Sequence, residues 1–534
     1  MENKQEIGLM IEAGRTSLGI ELGSTRIKAV LIGENGASLA SATHEWENRL
    51  QDGIWTYPMS AVWTGLQDVY QKLTANIKQA YSVCFVKTGA IGVSAMMHGY
   101  LPFDANGNQL APFRTWRNTI TEEAAARLTE AFGFHIPQRW SIAHLYRAML
   151  ENESHVQKIG FLTTLAGYVH YKLTGERVLG VCDASGMFPI DTATGSYNRE
   201  MLSRFNNIAK DFGVAWQLED ILPAVRQAGE PAGRLSEEGA LLLDPSGRLE
   251  AGIPFCPPEG DAGTGMVATN AVAPRMGNVS AGTSVFAMIV LEKPLLNVHA
   301  EIDLVTTPTG KPVAMVHCNN CTTDFDAWVK LFGQVLSTMG VSYKKSALYD
   351  AIYAKALQGD PDCGGLVSYN YDAGEHITGF EEGRPLFLRL PNSAFNLQNF
   401  ARTLLFSAMA TLRIGMDILT GREAVRVDVL RGHGGLFKTP KAGQTLLAEA
   451  LGMPVSVREE ADEGGAWGIA LLADYMRRGK TDETLEEYLN THVFFGAADE
   501  TVVLEEANMA GFFNYLARYK ACLVVERAAV EHLR

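Results

Sequence analysis

In Leu18-Gly19-Ile20-Glu21-Leu22-Gly23-Ser24-Thr25-Arg26-Ile27-Lys28-Ala29-Val30-Leu31-Ile32, apolar residues dominate 18–22 and 27–32, and Gly23-Ser24-Thr25 separates the two runs. Short apolar runs around small polar residues predict two strands joined as a β-hairpin. Glycine lets the main chain approach an anion closely and hydroxyls add donors, so Gly23, Ser24, Thr25 and the nearby Lys28 form a candidate phosphate set. Glu21, beside the tip, is suited to a phosphate-bound magnesium ion, directly or through water. The same residues also read as an ordinary hairpin with a polar turn.

A second copy of the pattern shifts that balance. Gly277-Asn278-Val279-Ser280-Ala281-Gly282-Thr283-Ser284-Val285-Phe286-Ala287-Met288-Ile289-Val290 lies under Gly19 to Ile32 at a constant offset. Gly19 falls on Gly277, Thr25 on Thr283, Ala29 on Ala287 and Ile32 on Val290. Two such hairpins half a chain apart predict a duplicated domain with one phosphate-facing hairpin per lobe. Gly282, Thr283 and Ser284 are the second candidate phosphate set.

A chain of 534 residues exceeds what one core fills, so two or more domains are expected. Its 47% hydrophobic and 20% charged residues are ordinary for a soluble globular protein. A net charge of −14 with no basic stripe argues against a nucleic-acid partner, although local donors can still hold an anionic nucleotide. Met1 to Glu6 carry charges of both signs and no signal-like apolar core follows. No run approaches the roughly 20 apolar residues of a membrane span. Seven cysteines do not make a disulfide framework in a chain this long, and the odd count fits a reducing cytoplasm.

Residues 89–94 predict a buried strand running into Ala95-Met96-Met97-His98-Gly99-Tyr100, and such a strand end delivers side chains to a cleft. His98 suits a substrate hydroxyl or a core position. Phe113-Arg114-Thr115-Trp116-Arg117-Asn118 sets a flat aromatic among hydrogen-bonding groups, as sugar recognition needs, and equally reads as a solvated loop with one packed Trp. Residues 161–173 predict a helix, and Asp183-Ala184-Ser185-Gly186 a turn. Gly260-Asp261-Ala262-Gly263-Thr264-Gly265 predicts a glycine-rich loop with a lone carboxylate, opening a helix over 266–273 whose N-terminus favours anions. Gly263, Gly265 and Ala268 also match the loose dinucleotide fingerprint, without the clean strand that should precede it.

Cys318-Asn319-Asn320-Cys321 is a lone C-x-x-C with no second pair, which reads as structural and not as a zinc site. Residues 397–419 carry the clearest 3.6-residue stripe, through Leu397, Phe400, Leu404, Ala408, Leu412 and Met416, and predict a core helix. A strand at 425–430 leads into Arg431-Gly432-His433-Gly434-Gly435 and a helix at 441–451. That order lets a base or ribose lie on exposed backbone. Gly434, Gly435 and Lys438 are the candidate nucleotide residues there.

These landmarks, in this order, resemble those of the FGGY carbohydrate kinases of the actin-like ATPase superfamily. Gly19 to Thr25 resembles the first phosphate motif, where the family usually has Gly-Ile-Asp-x-Gly-Thr. Ser94-Ala95-Met96-Met97-His98-Gly99 resembles the xylulokinase Ser-Gly-Gln-Met-His-Gly segment, and Lys172-Leu173-Thr174-Gly175-Glu176 with Asp183 to Gly186 the Leu-Thr-Gly and Asp-Ala-Ser-Gly pair. Gly260-Asp261 resembles the Gly-Asp of the catalytic loop, Ala281 to Ser284 the second phosphate motif, and Gly432 to Gly435 the adenosine-side glycine loop.

The resemblance implies an α/β fold of two ribonuclease-H-like (actin-like ATPase) lobes, each with a mixed five-stranded sheet, with ATP and sugar in the cleft between them. It divides the chain into a sugar-binding lobe over 1–264 and a nucleotide-binding lobe over 265–534. It implies transfer of the ATP γ-phosphate to a sugar hydroxyl, with Asp261 as general base and magnesium near Glu21 and Asp261. Met97, His98, Trp116, Arg117 and Asp261 would touch the sugar. A homodimer and a cytoplasmic location are expected. Three departures bear on this: Glu21 stands for the usual Asp, Met96 for Gln, and Arg117-Asn118 for Asn-Asp. D-xylulose and L-ribulose lead as substrates. Another sugar or polyol is the near alternative, and a nucleotide-dependent sensor or ATPase the distant one, which would not need a base at Asp261.

Overall fold

The computed structural model describes residues 4–439, 441–458, 464–479, 482–496 and 501–533. The opening stretch forms the predicted hairpin. Ser17–Leu22 pairs antiparallel with Arg26–Ile32 and parallel with Ala90–Ala95. The sheet runs in the order Glu259–Gly260, Ala90–Ala95, Ser17–Leu22, Arg26–Ile32, Ser38–Glu45.

Ser17–Leu22 is buried except for a partly exposed Glu21, and Ala90–Ala95 is buried throughout. Helices covering both faces of a sheet produce such runs. Leu18, Ile20 and Leu22 join Val62, Leu66, Leu73 and Ile77 of the helix Met59–Tyr81 in one core. The alternate residues, Gly19 and Glu21, face the helix Gly464–Arg478. A Cβ on Gly19 would fall on the Ala466 carbonyl oxygen and 2.7 Å from the Ala470 nitrogen, so glycine is what lets that helix seat.

The second sheet has six strands, one more than the resemblance implies: Ile302–Thr306, Pro312–Cys318, Val285–Val290, Met276–Ala281, Val429–His433, Val455–Val457. The striped helix spans Leu397–Asp417, continues as a π-turn over Ile418–Arg422, and is buried over most of its length. Together they make the one described helix long and apolar enough to cross a membrane, and 72% of that apolar window lies inside the fold.

The chain divides into two compact units, and the division is not a single cut near 264. The first unit comprises Met1–Val272, Leu304–Val313 and Glu463–Ala497; the second holds Ala273–Asp303, Ala314–Asp462 and Ala498–Arg534. The physical reason is the packing of Gly464–Arg478 on the first sheet, which returns a distant stretch of chain to the first unit.

Four local expectations change. Phe161–Thr163 is a strand paired with Leu101–Phe103, and the helix is Leu165–Thr174, capped by Thr164. The Asp183 turn belongs to a short helix, Val181–Ser185. No loop follows Gly260: the helix begins at Asp261 and runs to Ala268, so Gly263, Gly265 and Ala268 are helical and form no dinucleotide loop. The strand expected at 425–430 is Val429–His433, so Gly432 lies within the sheet and the glycine loop starts at Gly434.

Gly19→Ala should force the Gly464–Arg478 helix off the sheet, an overpacking cost of about 1–3 kcal/mol. A thermal scan should show the first unfolding midpoint lowered by several degrees; an unchanged midpoint would show that the helix does not seat through Gly19.

Candidate active site

The first hairpin tip is held from behind through its carbonyls. Trp46 Nε1 donates to the Gly23 oxygen at 2.7 Å and the Tyr57 hydroxyl to the Ser24 oxygen at 2.6 Å. The Trp46 main-chain N–H donates to the Thr25 oxygen at 3.1 Å. Gly23 N–H closes the turn on the Arg26 oxygen at 2.9 Å. Every main-chain carbonyl of Gly23-Ser24-Thr25 therefore accepts a hydrogen bond from behind the tip.

Trp116 and Arg117 lie close to this hairpin. Trp116 is 37% exposed, and its Nε1 donates to Ser24 Oγ at 3.3 Å. Arg117 lies 4.0 Å over the Trp55 ring and donates to Asn48 Oδ1 at 3.0 Å. Lys28 stands opposite Glu21 in the hairpin register, and its charge pulls the Glu21 carboxyl down.

Asp261 is the first residue of its helix, directly after Glu259–Gly260, which pairs in parallel with Ser94–Ala95. Its Oδ1 accepts the Met97 N–H at 3.1 Å. Burial raises the carboxyl from 3.8 to about 6, against backbone N–H groups of Met97 and Ala262 that favour the anion. Glu21 accepts the Ala466 N–H at 3.2 Å, and burial followed by the Asp261 charge raises it to about 7. The Asp261 charge thus reaches Glu21 across the intervening strand Ala90–Ala95.

Met97 and His98 leave the strand as expected. His98 has φ +72°, a left-handed backbone that costs a non-glycine residue about 1 kcal/mol or more. Its Nδ1 lies 3.2 Å from the Gly186 carbonyl oxygen and its ring stacks on Trp140 at 6.4 Å. The turn directs the Met97 N–H at Asp261 and packs His98 against the Asp183–Gly186 segment.

Two further carboxylates complete the cluster, and neither was singled out as a site residue from sequence. Asp183 is 1% exposed; its Oδ2 accepts from Thr164 Oγ1 at 2.6 Å, and burial raises it to about 7. Glu259 accepts the Asp183 N–H at 2.9 Å, and burial pushes it well above its ordinary value. An available signal was Glu259 itself, the one charged side chain in the stretch 251–260.

The second hairpin is closed by Ala281 opposite Val285 with three residues between, whereas Leu22 opposite Ile27 closes the first with four. The constant offset seen in sequence therefore does not carry through the turn: Gly282-Thr283-Ser284 is a tighter tip. Val429–His433 runs parallel to Met276–Ser280, and Gly434 follows with φ +101°. A Cβ on Gly434 would sit 2.5 Å from the Ala281 oxygen, so the glycine loop can lie directly against the hairpin. Gly434, Gly435 and Lys438 are all exposed around the short turn Gly435–Phe437. Burial lowers the His433 imidazole to about 4, so it is neutral.

Comparison with known proteins finds likeness over most of the chain. Family models described as the FGGY family of carbohydrate kinases, N-terminal and C-terminal domains, match residues 16–267 and 277–476. A xylulose kinase of Haemophilus influenzae is 23% identical over 479 residues, covering 85% of this chain and 90% of the relative. A ligand-bound xylulose kinase from Lactobacillus acidophilus superposes with TM-score 0.78 at 16% identity over 97% of this chain and 99% of that one. A gluconate kinase from the same organism gives 0.76 at 17% identity over 96% and 97%. The fold is shared almost equally with both, so it does not select a substrate.

The Asp183 carboxyl rises from 3.8 unfolded to about 7 folded, so folding takes up a proton between those values. Its stability contribution is full below the unfolded value and is lost as pH rises through the folded one. Asp183→Asn cannot ionise and should gain thermal stability relative to the parent on going from about pH 5 to about pH 8. Parallel melting-temperature profiles would show that Asp183 does not bury a titrating carboxyl.

Proposed function

The chain belongs to the FGGY family of carbohydrate kinases, and on that premise we propose that it is a ketopentose kinase in which Asp261 activates the attacking hydroxyl. The observation that carries this is the placement of the Asp261 carboxylate, set at a helix N-terminus with its Oδ1 on the Met97 N–H, where burial raises the carboxyl to about 6. A base of that strength is largely ionised at neutral pH yet still takes a proton from a hydroxyl as its oxygen attacks. The proton passes to Asp261, the oxygen bonds to the γ-phosphorus, and the bridge to the β-phosphate breaks to release ADP.

Gly23, Ser24 and Thr25, with Lys28, and Gly282, Thr283 and Ser284 hold the ATP phosphates; Gly434, Gly435 and Lys438 serve its adenosine side. Met97, His98, Trp116 and Arg117 contact the sugar. Catalysis in this reading is mainly positioning and charge stabilisation. Likeness over 85% of this chain to a xylulose kinase supports D-xylulose, with L-ribulose beside it.

Glu21 and Asp261 fit a magnesium ion. Burial and mutual repulsion raise the Glu21 carboxyl to about 7, a charge pattern that a dication relieves. Magnesium takes one or two carboxylates and completes its shell with phosphate oxygens and water. Bound there, it would neutralise charge on the transferred phosphoryl group.

ADP release across a ketopentose panel tests the substrate: strong stimulation by D-xylulose or L-ribulose is expected, and stimulation only by another sugar or polyol would reassign it. Asp261→Asn should cut kcat by about 10² or more while ATP still binds. In the parent, kcat/KM should fall at low pH as the Asp261 carboxyl takes up its proton, and Asp261→Asn should lose that limb; a low-pH limb unchanged in Asp261→Asn would remove Asp261 as the base. Glu21→Gln should raise the magnesium concentration needed for half-maximal rate, and superimposed magnesium titrations would make Glu21 structural.

A further inference from the structure

We propose that the Cys318-Asn319-Asn320-Cys321-Thr322 loop, clamped by the buried Glu375, is the positioning element of the second phosphate hairpin. It acts by occupying the carbonyls of Gly282 and Thr283, so that the tip turns donors toward phosphate. The inference rests on the reading that Gly282-Thr283-Ser284 holds ATP phosphates.

A hairpin tip carries as many carbonyl acceptors as N–H donors, and a carbonyl dipole aimed at a phosphate repels it. In the second tip every carbonyl is taken. The Ser284 oxygen accepts the Gly282 N–H at 2.9 Å. The Thr283 oxygen accepts the Cys321 N–H at 2.9 Å. The Gly282 oxygen accepts both from Thr322 N–H at 3.1 Å and from Thr322 Oγ1 at 2.9 Å. The loop thus supplies three of the four donors behind the tip. The first tip reaches the same condition with Trp46 and Tyr57, using unrelated residues.

What fixes the loop is a buried polar clamp. Asn320, 3% exposed, accepts the Ala373 N–H at 3.0 Å and donates from Nδ2 to the Ala373 oxygen at 3.2 Å and to Glu375 Oε2 at 3.2 Å. Its main-chain N–H also reaches Glu375 Oε2 at 3.4 Å, and Asn319 Nδ2 holds the Gly374 oxygen at 2.8 Å. Asn370 Nδ2 takes the Cys321 oxygen at 3.0 Å. Glu375 is fully buried. A buried carboxylate in a polar network contributes little stability over an apolar packing, and its gain is a single defined geometry. The two cysteines that frame the motif are buried, and burial pushes the Cys321 thiol up to about 12 and holds the Cys318 thiol well above its ordinary value. They pack as small apolar side chains and leave the asparagines to do the holding.

The test is ATP and adenosine affinity by titration calorimetry, with the thermal midpoint of the ligand-free chain. Thr322→Val removes one side-chain donor and should raise the ATP Kd about five-fold, as one lost hydrogen bond implies, with adenosine Kd and midpoint unchanged. Asn320→Ala should raise the ATP Kd further, and Glu375→Gln, which keeps an acceptor for Asn320, should stay closer to the parent than Glu375→Leu. If the buried variants fail to fold, Thr322→Val decides alone. Gly282→Val is the control on the underlying reading, because a Cβ there meets no atom within 4 Å and would project into open space. An ATP Kd unmoved by Gly282→Val overturns the phosphate role of the tip. An ATP Kd raised by Gly282→Val but not by Thr322→Val, or a Thr322→Val effect that equally weakens adenosine, overturns the brace.

Discussion

Four carboxylates gather in the first unit, Asp183 and Glu259 buried and Glu21 and Asp261 partly so, and the structure around them makes that tolerable. Each is raised by burial, and Asp261 couples to both Glu21 and Asp183. Backbone N–H groups offset part of the cost: Met97 on Asp261, Ala466 on Glu21 and Asp183 on Glu259. Those same hydrogen bonds tie the ends of three strands to three helices, so the site's electrostatics and its rigidity share one origin. A group of acids held near neutrality is suited both to accepting a proton and to receiving a cation.

The two hairpins solve a common problem by different means. An anion-binding tip must dispose of its carbonyls, and burial alone cannot do so without stranding acceptors. The first hairpin uses an indole, a phenol and one main-chain N–H. The second uses the main chain and threonine hydroxyl of a neighbouring loop. The likeness between the halves is therefore one of occupied tip carbonyls and of strand order, while the supporting residues differ. The differing turn lengths point the same way.

Local pattern determined a good deal of this protein. The runs flanking Gly23-Ser24-Thr25 are strands, and the stripe through Leu397 and Met416 is a core helix. Those features depend on side chains within one or two turns of each other, where periodicity is informative. Boundaries were less legible: Phe161–Thr163 has helical-looking composition but pairs as a strand with Leu101–Phe103, because a partner edge overrides propensity.

The amino-acid sequence by itself determined the order of motifs, and with it the family, because each motif is a short stretch whose chemistry is contiguous. Only the tertiary structure decided that the Gly464–Arg478 helix seats on Gly19, that Asp183 joins Glu259 and Asp261, and that Cys318–Thr322 backs the second tip. Each of these joins residues separated by tens to hundreds of positions. Burial, which raises the carboxyls and settles the packing, is a property of the assembled fold and is carried by no single stretch.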